Sequence, residues 1–151
     1  DRMKAEARAA ILPRAPAPIV ARDGHPRALE ALQRNARAAG VLDDLEIARA
    51  DARELEPIAA EGTLVSNPPY GEQSSPRSAT VPHMMADVGD HLKASFPGWH
   101  AWFLTSDREL PRQMRLAETR KPVLYNGPLE CRFFRFELVG GRYRPRAAAS
   151  R

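Results

Sequence analysis

The chain reads as an α/β protein, a parallel sheet with an antiparallel hairpin at its C-terminal end. Three observations carry that expectation. Short apolar runs alternate with stretches of helical periodicity. The runs ending near residues 22, 50 and 66 are each followed by a polar residue, Asp23, Asp51 and Asn67. The last third switches to two apolar runs joined through Asn126-Gly127-Pro128, and Asn-Gly between such runs is a hairpin signal.

Taken in order, Met3 to Leu12 is rich in Ala, Lys and Glu and reads as the tail of a helix that Pro13, Pro16 and Pro18 end. Ile19-Val20-Ala21 is a short strand that stops at Asp23-Gly24. Pro26 suits a first helical position, and Ala28, Leu29, Leu32, Ala36 and Ala39 recur on one helical face. Gly40 then caps the helix, with Val41 placed for the accompanying apolar contact. Leu45 and Ile47 alternate with Glu46 and lead to Ala50-Asp51, a second strand ending in an acid. Arg53 to Ala60 holds at most a short helix. Thr63 to Ser66 is a third strand, and Gln73 to Val81 is a polar, mobile loop.

Pro82 to Ser95 is a helix with Met84, Met85, Val88 and Leu92 on one side. In the strand from Gly98 to Thr105, Trp99, Ala101 and Phe103 alternate with His100, Trp102 and Leu104, and both tryptophans read as packing groups. Ser106 or Asp107 caps a helix reaching about Leu116. Pro122 to Tyr125 and Cys131 to Val139 form the hairpin, and Pro128 implies a connection longer than two residues.

A length of 151 residues suits one domain, residues 1–139, followed by a basic tail, residues 140–151, that reads as disordered. No apolar run is long enough to span a bilayer and no secretory pattern opens the chain, so the expectation is a cytoplasmic protein without a membrane partner. The single cysteine, Cys131, excludes an internal disulfide framework and a cysteine-based zinc site, and its strand setting reads as a buried, inert thiol. The four histidines are scattered, and no metal site is expected. Charge is uneven: residues 1–106 carry 12 Lys/Arg against 14 Asp/Glu, and residues 107–151 carry 11 against 5. A basic C-terminal third suits a polyanion such as RNA.

The most informative positions are Ser66-Asn67-Pro68-Pro69-Tyr70-Gly71. Two successive prolines fix their own φ angles and lack N–H donors, and Pro68 holds Asn67 out of the helical region. The product is a stiff turn after a strand. It offers an amide oxygen (Asn67), a backbone carbonyl (Pro68) and an aromatic ring (Tyr70). That set can grip a planar group carrying an exocyclic amine, with two acceptors for its N–H bonds and a ring to stack on its face.

Ser66-Asn67-Pro68-Pro69-Tyr70-Gly71-Glu72 resembles motif IV of the S-adenosylmethionine-dependent amino-group methyltransferases. The resemblance implies a Rossmann-like class I methyltransferase sheet and a catalytic set of Asn67, Pro68, Pro69 and Tyr70. It also implies that Asp23 accepts from the cofactor ribose hydroxyls, that Asp51 accepts from the adenine amino group, and that the Ala52 N–H serves adenine N1. Many relatives carry a second acid two residues after the first; here that place is His25. Asp23 can also cap the helix that starts at Pro26, a role compatible with the ribose one; Glu72 reads equally as a solvated loop acid and stays outside the set.

The turn alone fits a guanine N2, an adenine N6 or a protein glutamine N5 as methyl acceptor. The longer pattern of Asp23, Ala28-Leu29, Asn35-Ala36-Arg37 and Gly40, then the proline turn, then Asn126-Gly127-Pro128-Leu129-Glu130-Cys131, resembles the bacterial large-subunit ribosomal RNA guanine-N2 methyltransferases. It runs from about Lys4 to Leu138, and the hairpin is its most discriminating piece. The implied partner is ribosomal RNA. The family's first strand and glycine-rich loop do not occur; residues 1–40 contain no Gly-x-Gly. The chain therefore reads as the C-terminal part of a longer enzyme, needing the preceding part for tight cofactor binding and inactive alone. A reading of another class is a non-catalytic RNA-binding remnant of this fold.

Overall fold

The computed structural model of the chain describes residues 2–69 and 80–140. These fall into two compact units that divide between Ala52 and Arg53. The first holds helix α1 (Arg2–Ala9), strand β1 (Ile19–Asp23), helix α2 (Pro26–Ala39), a 3-10 turn (Leu42–Asp44) and strand β2 (Leu45–Arg49). β1 and β2 pair in parallel from Ile19↔Leu45 to Asp23↔Arg49, and α2 packs on both. α2 starts and stops where the sequence says. Pro26 occupies its first turn, and Gly40 takes φ 72° and donates to the Ala36 and Arg37 carbonyls. Arg22 fastens the strand pair from its side, bonding the Glu46 carbonyl at 2.8 Å and pairing with the Glu46 carboxylate.

The second unit holds strand β3 (Thr63–Ser66), helix α3 (Thr80–Ser95), strand β4 (His100–Thr105), helix α4 (Leu110–Met114) and strands β5 (Glu118–Arg120), β6 (Val123–Asn126) and β7 (Leu129–Glu137). Strand order is β3-β4-β7-β5, with β6 also on β7. β3 and β4 are parallel, and the three pairings of β7 are antiparallel. The alternation along β4 does what its pattern predicts. Ala101 and Phe103 are buried with Phe134, Phe136 and Leu138, against Met85, Val88 and Leu92 of α3 and Leu110 and Met114 of α4. Trp99 belongs to this core, its ring edge-on to Phe96 at 5.3 Å and its Nε1–H bonded to the Ala59 carbonyl at 3.0 Å. Trp102 is on the opposite sheet face, 4.7 Å from the Phe133 ring. Cys131 is fully buried.

Residues 53–60, expected to hold at most a short helix, form none, in keeping with that reading; Pro57 interrupts the segment, and the Leu55 and Ala59 carbonyls are taken by His91 and Trp99. Several expectations change. α3 starts at Thr80, so residues 80–81 are helical; the rest of the expected loop, Gln73 to Ala79, lies outside the described residues. α4 is shorter than expected, with Glu109 at its N-cap. β5 had no apolar alternation to reveal it. The hairpin loop is two residues, not longer: Asn126 pairs with Leu129, and Gly127-Pro128 make the turn. Gly127 supplies φ 60°, and a proline second in a two-residue loop forfeits no ladder hydrogen bond. The expected tail beyond Gly140 also lies outside the described residues.

Candidate active site

Two sets of the expected residues stand at carboxyl ends of parallel strands, one in each unit. In the first unit Asp23 closes β1 and is exposed. Its Oδ1 accepts the His25 N–H at 2.7 Å, which shapes the turn into α2. The helix cap itself is His25, whose Nδ1 accepts from the Arg27 N–H at 3.2 Å. So His25, two residues after Asp23, is used as a cap acceptor. That leaves Asp23 outside the helix cap, with Oδ2 bonded to no group among the described residues. Asp51 stands two residues past the end of β2, not on the strand, and is half-buried; Ala52 beside it is exposed. The Ala50 N–H donates to the Asp23 carbonyl at 3.2 Å, so the parallel pairing continues one residue beyond the strands and keeps Asp51 at the same end as Asp23.

In the second unit β3 stops at Ser66, paired with Phe103, while β4 runs on to Thr105. The stop is chemical: Pro68 and Pro69 have no N–H to give a ladder. Asn67 is exposed and Pro68 buried, so the turn is anchored by a ring packed inward and shows its amide outward. Pro69 is exposed. Tyr70, Gly71 and Glu72 lie outside the described residues.

Beside this turn, at the end of β4, lies a polar cluster that sequence reading reduced to a helix cap. The Asp107 N–H donates to Thr105 Oγ1 at 3.0 Å, Asp107 Oδ1 accepts from the Glu109 N–H at 2.8 Å, and Oδ2 accepts from Gln113 Nε2 at 2.7 Å. Gln113 Oε1 is buried without a partner among the described residues. Further along the same edge, Glu130 Oε1 accepts from Arg108 and Arg132, both at 2.9 Å. The Arg108 hydrogen bond, then the charge of Arg132, hold the Glu130 carboxyl below its ordinary range. Arg108 and Glu130 are 22 residues apart, and no local pattern could have joined them. Among the described residues no group of three His, Cys, Asp or Glu is arranged to hold a metal ion.

Residues 1–135 match the family described as "RMKL-like, methyltransferase domain". The chain is 38% identical over 105 residues to the Ribosomal RNA large subunit methyltransferase K/L of Alteromonas mediterranea, covering 69% of this chain and 15% of that protein. To the protein of the same name from Methylococcus capsulatus it is 35% identical over 142 residues, covering 94% of this chain and 19% of that one. The chain thus spans under about a fifth of the length of these relatives. A solved structure of SMU.472, described as "a putative methyltransferase complexed with SAH", superposes with a TM-score of 0.71 at 26% identity, over 83% of this chain and 32% of that chain.

Proposed function

Because this chain belongs to the RMKL-like methyltransferase-domain family and has the α/β methyltransferase fold, we propose that it is part of an enzyme that methylates the N2 amine of a guanine in ribosomal RNA, with S-adenosylmethionine as cofactor. The observation that carries the reading is the turn after β3. An exposed Asn67 and a buried Pro68 sit where the ladder must end, at the carboxyl edge of a parallel strand pair, the edge at which such sheets bind ligands. The names of the relatives supply the substrate class, and the basic C-terminal third agrees with it.

In this reading the Asn67 side-chain oxygen and the Pro68 carbonyl accept the two N–H bonds of the guanine amine, and Tyr70 stacks on the base. An exocyclic amine is a weak nucleophile because its lone pair is delocalised into the ring. Two acceptors on its hydrogens favour a pyramidal nitrogen with a localised lone pair. The residues contribute positioning and preorganised dipoles, and no strong base is needed at the moment of transfer. A base within a duplex must first be flipped out. S-adenosylmethionine supplies the electrophilic methyl group. Asp23, with one carboxylate oxygen uncommitted among the described residues, suits the ribose hydroxyls, and Asp51 with the Ala52 N–H suits the adenine edge.

The reading also requires chain beyond residues 1–151. β1 pairs only with β2 and β3 only with β4 among the described residues, so each parallel pair has an edge to which a further strand can be added. We assign that strand, and the glycine-rich turn after it, to a preceding segment of the same protein. The test is Asn67→Ala in the full-length protein, assayed with labelled S-adenosylmethionine on ribosomal RNA and by nucleoside mass spectrometry. Methylation should fall at least about 100-fold with RNA affinity within about twofold, the size of effect seen when one preorganised polar group is removed. Retained methylation would sink the role of the turn, and methyl transfer to a protein glutamine instead would move the substrate class.

A further inference from the structure

The strand register of the second unit leaves one element standing beyond the edge just described. β4 ends at Thr105, which pairs with Arg132, while β7 begins three residues earlier, at Leu129. Among the described residues Leu129, Glu130 and Cys131 pair only with β6, opposite Asn126, Tyr125 and Leu124. The hairpin tip therefore rises past the end of β4 by about 10 Å, at about 3.3 Å per residue. β4 alone separates β7 from β3, so the tip stands about two strand spacings, roughly 10 Å, to one side of the strand that carries Asn67.

What the tip displays is unusual for a solvated hairpin. Residues 121–130 are all exposed, and they include Tyr125 at 69% exposure with Val123, Leu124 and Leu129. The tip itself carries Lys121 and Glu130, and Arg108 and Arg132 reach it from either side through their pairs with Glu130. The one acid on the tip, Glu130, is already shared by Arg108 and Arg132, so it presents no free negative charge to a phosphate. An exposed ring bordered by guanidinium groups suits single-stranded nucleic acid, with base stacking on the ring and phosphates along the cations.

We propose that the β6–β7 tip is an RNA-docking element, in which Tyr125 stacks on an unpaired base flanking the target nucleotide and Arg108 and Arg132 face its phosphates. The inference rests on the proposed RNA methylation and assigns the neighbouring surface. Its rigidity comes from the two-residue Gly127-Pro128 turn, which holds Tyr125 and its cross-strand neighbour Glu130 in register.

The test is fluorescence anisotropy of a labelled RNA stem-loop titrated with the full-length protein. Tyr125→Ala should weaken binding about tenfold and Tyr125→Phe by less than about twofold, since stacking needs the ring and not the hydroxyl. Arg108→Ala combined with Arg132→Ala should flatten the salt dependence by the release of about two fewer counterions. Wild-type affinity in Tyr125→Ala would overturn the proposal, as would an unchanged salt slope in the double arginine variant. Unchanged RNA affinity in Tyr125→Ala with impaired methylation of a protein substrate would assign the tip to protein and overturn it equally. Affinity does not depend on methyl transfer, so this failure is distinct from active Asn67→Ala, which would sink the catalytic reading and leave the tip intact.

Discussion

At the scale of single residues, glycine sets both where elements end and how closely they pack. Gly40 and Gly127 both take positive φ, and both stand where an apolar pattern ends. Gly89 is a different case. A Cβ built there would lie 2.1 Å from the Met114 carbonyl oxygen, so α3 and the end of α4 touch backbone to backbone. Nothing in the sequence around Gly89 announces this, because the neighbour is 25 positions away in a short helix. Gly89→Ala should raise local helix propensity and still cost about 1–3 kcal/mol through overpacking. Urea unfolding measures it, and an unchanged midpoint would mean that the contact relaxes freely. The Asn67-Pro68 corner was legible because proline acts through its own covalent structure. The sharing of Glu130 by Arg108 and Arg132 was not, since only the fold brings residues 108 and 130 together.

At the scale of elements, α3 and α4 are joined by charge as well as by the core. Asp90 on α3 accepts from Lys93 at 2.6 Å and from Arg115, just past α4, at 2.6 Å. The Lys93 hydrogen bond first, with the charges of Lys93 and Arg115, holds the Asp90 carboxyl below its ordinary value of 3.8. A depressed carboxylate stabilises the folded state above its unfolded value and loses that contribution as pH falls through the folded one. Asp90→Asn should therefore cost most at neutral pH, under about 1 kcal/mol given the exposure of the group, and the difference from wild type should fade below pH 3.8. Paired urea titrations at neutral and acid pH would show it, and a pH-independent difference would remove the electrostatic cause. Elements with a long period were legible: α2, α3 and β4 lie where the apolar spacing puts them. β5 was not, because Glu118-Thr119-Arg120 has no buried side to alternate with and is recruited by its pairing with β7.

For the whole molecule, the core is unevenly shared. Among the described residues Ala36 is the only buried hydrophobic residue of the first unit, whereas residues 85–138 supply all the others. Burial of apolar surface is the main stabilising term, so the β1–β2 pair should open far more readily than β4 and β7. Hydrogen exchange followed by mass spectrometry should find Ile19 to Arg49 losing protection well before His100 to Thr105 and Cys131 to Glu137. Equal protection would mean that the first unit gains stability from something other than its own side chains. The sides of β1 and β3 that pair with no strand among the described residues carry a practical consequence as well. Each is a line of backbone amides and carbonyls in extended form, and Val65 on β3 is 66% exposed. Such lines recruit strands from other molecules when no native neighbour occupies them. Purified at high concentration, this polypeptide should stick to itself through β3, and a lysine in place of Val65 should keep it in solution.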